Sequence, residues 1–116
     1  MAEAVAPRRV VEIRSYQLKP GTVTEFDRLV TEALAPMLRS RGVDVVAFGR
    51  SLRDEDAYYL MRAYASLEDL ERSEAAFYGG DEWRLGPRDA ILACIDSYNT
   101  IVIEMDGPTA EGLRGV

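Results

Sequence analysis

Arg14 and Tyr16 stand two apart in Val-Val-Glu-Ile-Arg-Ser-Tyr-Gln-Leu (10–18), and Arg62 and Tyr64 repeat that spacing in Leu-Met-Arg-Ala-Tyr (60–64). Residues two apart on an extended strand share a face, so each run puts a guanidinium beside a phenol, with Glu12 joining the first pair. Phe48, Arg50 and Glu104 fall on the same face in the register set out below. Three arginines against Glu12 and Glu104 leave positive charge unbalanced. A carboxylate, enolate or phenolate would answer it through paired arginine hydrogen bonds and tyrosine hydroxyls. The chemistry that needs only these parts is cyclisation, dehydration or isomerisation of an enolisable molecule. Glu12 is the candidate acid/base, its pKa raised by burial and lowered by arginine. Arg14 and Arg62 would stabilise developing negative charge. Tyr16, Phe48, Arg50, Tyr64 and Glu104 are the candidate ligand contacts. The alternative is that the same groups form an ion-pair and tyrosine network holding a dimer together, since buried charge is usually paired.

Other chemistries are excluded by what is missing. The chain has no histidine, which removes Ser-His-Asp and Cys-His catalysis, histidine-ligated haem and most transition-metal sites. Of fourteen basic residues all but Lys19 are arginine, so Schiff-base chemistry has one candidate, and it sits in a turn. Cys94 is alone, without a base, and reads as a small core residue. Asp54-Glu55-Asp56 reads as a solvated hairpin tip with at most weak affinity for a hard cation. No cofactor and no metal centre are expected. A net charge of -6 argues against nucleic acid as a partner. No run reaches the roughly 20 apolar residues of a membrane helix. The N-terminal arginines follow a short apolar patch, which is not signal-peptide order, and a cytoplasmic location is expected.

The elements that position these residues follow from turn and cap signals. At 116 residues one domain is expected, over 10–105, between a flexible arm at 1–9 and a flexible tail at 106–116. After the first strand, Lys19-Pro20-Gly21 turns the chain and Thr22-Val-Thr-Glu25 reads as a capping box. Apolar residues at three- and four-residue spacing from Phe26 to Leu38 predict a helix, with a kink or restart near Leu34 caused by Pro36 and a glycine cap at Gly42. Strands at 43–52 and 57–65 form a hairpin. Ser66 caps a second helix with a mixed stripe containing Leu70, Glu74 and Phe77, and Trp83 reads as a packing anchor beyond it. Strand four covers 97–105.

This βαββαβ order is that of a ferredoxin-like α+β sandwich, with both helices on one sheet face. The all-apolar set is the expected helix side: Val11 and Ile13, Val45 and Ala47, Met61 and Ala63, Ile101 and Ile103. The opposite face then carries the arginines and tyrosines. It is too aromatic to leave in water, so a second copy is expected to cover it, sheet against sheet, closing an α/β barrel whose inter-sheet cavity holds the ligand.

The segments Val-Glu-Ile-Arg-Ser-Tyr-Gln-Leu-Lys-Pro-Gly (11–21), Gly42 to Gly49, Leu-Met-Arg-Ala-Tyr-Ala-Ser-Leu (60–67) and Tyr78 to Arg84 with its Glu-Trp-Arg resemble the NIPSNAP family. The resemblance runs from about residue 10 to 105. It implies membership of the dimeric α/β-barrel superfamily, whose relatives include cofactor-free monooxygenases and polyketide cyclases acting on aromatic or enolic substrates. It therefore implies a homodimer with a small anionic or aromatic ligand, and a place in bacterial specialised metabolism is expected.

Overall fold

In the computed structural model, which describes residues 7–115, four antiparallel strands form one sheet in the order β2-β3-β1-β4. The strands are β1 (Arg8–Leu18), β2 (Asp44–Arg50), β3 (Ala57–Tyr64) and β4 (Ile95–Asp106). Between β1 and β2 lie α1 (Val23–Leu29), a π-helical turn (Val30–Leu34) and α2 (Ala35–Ser40). α3 (Leu67–Tyr78), α4 (Asp81–Arg84) and α5 (Arg88–Cys94) link β3 to β4, and α6 (Gly107–Gly112) follows. This is the ferredoxin-like α+β arrangement.

Local signals account for most boundaries. Pro36 has no N–H for the ladder, and its ring crowds the carbonyl four residues back, so the helix widens by a π-turn before α2 begins. Gly42 takes φ 81°, a left-handed conformation open to glycine, and ends that segment. The Ser66 hydroxyl accepts from the Asp69 amide and starts α3. The capping box at Thr22 does not form. The Thr22 hydroxyl instead donates to the Lys19 carbonyl at 2.8 Å, tying the turn, and Glu25 pairs with Arg28.

The two sheet faces are the reverse of the expected assignment. The main core, between sheet and helices, contains Val10, Tyr16, Leu18, Tyr58, Leu60 and Tyr64 packed on Phe26, Leu34, Leu38, Phe77 and Ile91. Phe26 sits between the rings of Tyr16 and Tyr58, each 5.0 Å away. The even-numbered residues of β1, Glu12 and Arg14 among them, thus point toward the helices. Val11, Ile13, Met61, Ala63, Ile101 and Ile103 belong to the other face. Alternation defines which residues share a face but not which face the helices cover, and here the polar groups are buried because they neutralise one another. Val45 is on the helix side as expected, whereas Ala47 is not: a β-bulge at Val46 breaks the two-residue repeat between them.

Part of the outer face is covered by the chain's own C-terminal segment. α6, in the region read as a tail, packs Ala110 and Leu113 over Val11, Val46, Ala47 and Ala63. The Asp106 carboxylate caps it by accepting from the Thr109 amide at 2.7 Å. At the other end β1 already begins at Arg8, and residues 1–6 of the expected arm lie outside the described residues.

Candidate functional site

Strand pairing brings the polar cluster together. Glu12 lies directly opposite Arg62, and Tyr16 directly opposite Tyr98 on the other side. α3 then lowers Glu74 and Tyr78, one turn apart, onto this part of the sheet, anchored by buried Leu70 and Phe77. Arg62 is fully buried and is the hub. Its Nε donates to Glu12 Oε1 at 2.9 Å, its Nη2 makes a shorter contact with the same oxygen, and its Nη1 donates to the Tyr78 hydroxyl at 2.7 Å. Glu74 Oε2 is 3.6 Å from Arg62 and accepts from the Tyr64 hydroxyl at 3.3 Å. Arg14 reaches Glu12 at 3.7 Å and Glu74 at 3.9 Å, donates to Thr100 Oγ1 at 3.1 Å, and lies 4.8 Å from the centre of the Tyr98 ring. Among the described residues no buried side-chain nitrogen or oxygen lacks a hydrogen-bond partner.

The cluster forms one end of a cleft of about 430 Å³ between sheet and helices. Arg14 and Glu74 line that end, Tyr16, Tyr78, Trp83 and Tyr98 supply aromatic walls, Leu34, Ile91 and Ile95 close the apolar side, and Arg88 is at the rim. A space of this size, mostly apolar with a few converging polar groups, has the proportions of a small-molecule site, which commonly occupies roughly 300–1,000 Å³.

Two carboxyls among two arginines divide their roles. Burial pushes Glu12 upward, but the hydrogen bond with Glu74 and the Arg62 and Arg14 charges outweigh it and hold Glu12 below the usual carboxylate range. Glu74 goes the other way. Burial and the shared hydrogen bond with the ionised Glu12 raise it to about 7, so it carries the pair's proton in weakly acid solution. Burial also pushes the Tyr16 phenol up to about 12 and the Tyr64 phenol higher still, so both remain neutral. At neutral pH the cluster's net charge therefore lies between zero and one positive, set by Glu74.

Of the residues read as site candidates from the sequence, Glu12, Arg14, Tyr16, Arg62 and Tyr64 come together; Arg14 and Tyr16 line the cleft, which lies within one chain rather than between two sheets, and Glu12, Arg62 and Tyr64 lie behind it. Phe48 packs against the main core, away from the cleft lining. Arg50 sits on β2, the edge strand farthest from β4, outside the cleft lining and 3.7 Å from Asp27. Glu104 is exposed on β4 and pairs with Arg8 at 3.3 Å. The reading of an ion-pair face pressed against a second copy is likewise overturned, because the chain's own helices cover that face. Glu74, Tyr78, Tyr98 and Arg88 were not among the candidates. One signal pointed to Glu74: it sits in the same helical stripe as Leu70 and Phe77, where a carboxylate has no reason to be unless it meets a cation. Trp83 does anchor the segment after α3, with its ring 5.2 Å from Tyr78 and 5.8 Å from Phe77, and it also lines the cleft. Cys94 is buried, with its thiol directed at the Ala90 carbonyl. No group of three or more acidic or cysteine side chains is arranged to hold a metal ion among the described residues. No helix there is long and apolar enough to cross a membrane.

Comparison with known proteins agrees with the fold. The NIPSNAP family model matches residues 11–103. A NIPSNAP-like domain protein from Burkholderia xenovorans superposes with a TM-score of 0.75 at 20% identity, over 82% of this chain and 83% of that one. A NIPSNAP family protein of unknown function from Agrobacterium tumefaciens gives 0.76 at 19% identity, over 84% and 88%. A putative antibiotic biosynthesis monooxygenase from Bordetella bronchiseptica gives 0.63 at 21% identity, over 84% and 95%. No curated protein matches the sequence.

Proposed function

We propose that this chain, which belongs to the NIPSNAP family, binds a small aromatic anion in the cleft between its sheet and its helices and works as a homodimer joined through the opposite face. The observation that carries the binding reading is Arg14. Its side chain is largely buried, lies against an aromatic wall and lines the cleft; of its two acidic neighbours, Glu12 at 3.7 Å is shared with Arg62 and Glu74 at 3.9 Å is only partly ionised near neutral pH. A cation with incomplete compensation at the end of an aromatic cleft suits a flat molecule carrying a carboxylate, enolate or phenolate. The groups at hand supply proton transfer and anion stabilisation, which is what cofactor-free isomerisation, dehydration or cyclisation needs. Arg62, by contrast, is fully enclosed by Glu12, Glu74 and Tyr78 and has a structural task. The dimer reading rests on the row Met61, Ile13, Ile101 across three strands of the outer face, with Ile101 57% exposed.

The test is a thermal-shift and calorimetric titration of aromatic carboxylates and phenols against wild type and Arg14→Ala. The expected result is a ligand that stabilises wild type and binds at least tenfold more weakly to the variant. Equal affinity for both proteins would remove Arg14, and with it this reading.

A further inference from the structure

Glu74 has a place in the cleft that Glu12 lacks. Glu12 lies on β1 under Arg62 and is 2% exposed, whereas Glu74 lies on α3 in the cleft lining with its side chain 19% exposed. Glu74 is thus the member of the pair that a bound molecule can meet, with Arg14 3.9 Å away on the same cleft wall. A base and a fixed guanidinium at that separation address neighbouring atoms of one small molecule, a C–H carbon and the oxygen of the carbonyl beside it. Tyr16, Tyr98 and Trp83 provide a slot for a ring beyond them. At the rim Arg88, whose partner is its exposed neighbour Asp89, is a second cation for a terminal carboxylate.

Resting on the reading that the cleft takes an aromatic anion, we propose that it catalyses keto–enol isomerisation of small aryl 2-oxo acids, with Glu74 as the catalytic acid/base and Arg14 holding the enolate oxygen. The Glu74 carboxylate takes a proton from C3. The C3–H bond breaks, its electron pair forms the C2–C3 double bond, and the carbonyl π pair moves to oxygen, where Arg14 stabilises it. The protonated Glu74 then delivers the proton to that oxygen, giving the enol and regenerating the carboxylate. The reverse path ketonises the enol. Atoms and electrons balance without oxidant, reductant or co-reactant. Glu12 and Arg62 act as positioning residues: they fix the anion that keeps the proton on Glu74 exchangeable near neutral pH.

The groups facing Glu74 are Glu12, Arg14 and Tyr16 from β1, Arg62 and Tyr64 from β3, Tyr78 from its own helix, Tyr98 from β4 and Arg88 from α5. Burial keeps Tyr16 and Tyr64 neutral, Arg14 and Arg62 are held in the charged form and Glu12 in the ionised form, while Glu74, raised to about 7, changes state between pH 5.5 and 8.

Phenylpyruvate is the probe. Loss of its C3 protons in deuterium oxide, followed by NMR, and decay of its enol, followed by absorbance, are measured with wild type, Glu74→Gln and Glu74→Asp, each checked for its melting temperature and for phenylpyruvate binding. Wild type is expected to accelerate exchange about 10²- to 10⁴-fold over buffer, as positioned acid–base groups do. The rate should rise between pH 5.5 and 8 with a midpoint near Glu74's value of about 7. Glu74→Gln should bind the probe and exchange at the buffer rate, and Glu74→Asp should recover part of the activity. Binding by wild type with exchange at the buffer rate would overturn the catalytic proposal and leave the binding reading standing, as would full activity in folded Glu74→Gln. Absence of phenylpyruvate binding, with no other aromatic anion bound, would overturn both.

Discussion

Glu74 and Arg62 show how buried charge divides between use and structure in this chain. A carboxyl whose pKa is higher in the folded state than in the unfolded one holds its proton more tightly when folded. Its contribution to stability is therefore complete below the usual carboxylate range and is lost as pH rises to Glu74's value of about 7. Glu12, held below that range, acts in the opposite sense and only in more acid solution, where protonating it removes the partner of Arg62. Wild type should accordingly lose melting temperature steadily from pH 5.5 to 8, and Glu74→Gln, fixed in the neutral form, should flatten that slope. A slope unchanged by the substitution would mean that Glu74 is not the titrating group. Arg62→Ala strands the buried Glu12 carboxylate and should cost about 3–5 kcal/mol in chemical denaturation. Much of this cluster was legible in the sequence, since the Arg-x-Tyr repeat and Glu12 named five of its members. Glu74 was signalled only by its place in the stripe of Leu70 and Phe77: its meaning depends on which sheet face α3 covers, and alternation within a strand does not carry that information.

At the scale of elements, α3 is the piece that turns a sheet face into a site, because it brings Glu74 and Tyr78 down onto Arg62 and Arg14. Its start depends on Ser66, whose hydroxyl accepts from the Asp69 amide at 3.0 Å. Ser66→Ala should lower stability by about 1 kcal/mol and weaken ligand affinity along with it, since fraying of the first turn loosens the helix that holds Glu74. Loss of stability with unchanged affinity would show that the site does not depend on that cap. The order of elements was readable because turns and caps are local: Gly42, Pro36 and Ser66 act within a few residues of themselves. The capping box at Thr22 and the regular alternation of β2 failed for a different reason. The Thr22 hydroxyl lies within reach of the Cys94 carbonyl at 3.2 Å as well as the Lys19 carbonyl, and the bulge at Val46 is set against β3, so both depend on partners that the local sequence does not show. α6 was hidden by the Gly-Pro pair at its start, which suggests loop although proline is well suited to the first turn of a helix.

For the whole molecule, the reversal of the two faces moves both the proposed ligand site and the proposed dimer contact. The polar face is internal and borders the cleft, while the apolar face, open around Ile13, Met61 and Ile101, is the surface proposed to meet a second copy. β4 is exposed on both sides along most of its length, with Tyr98 and Val102 toward the helix side and Ile101 and Ile103 outward, so a partner at this edge would bury apolar surface. Sedimentation of wild type should give a dimer, and Ile101→Asp with Ile103→Asp should give a folded monomer. A monomeric wild type would contradict the assignment of that face.

Trp83 offers the most direct check on where the ligand sits, because it is the chain's single tryptophan and it lines the cleft. Phenylpyruvate is titrated into nitrogen-15-labelled protein while the Trp83 indole N–H is followed by NMR, in wild type and in Arg14→Ala. A saturable shift of that resonance in wild type, strongly weakened in the variant, is expected if the ligand lies between sheet and helices beside Arg14. Saturable binding that leaves the indole untouched and instead perturbs the amides of Ile13, Met61 and Ile101 would put the ligand on the outer face and contradict it.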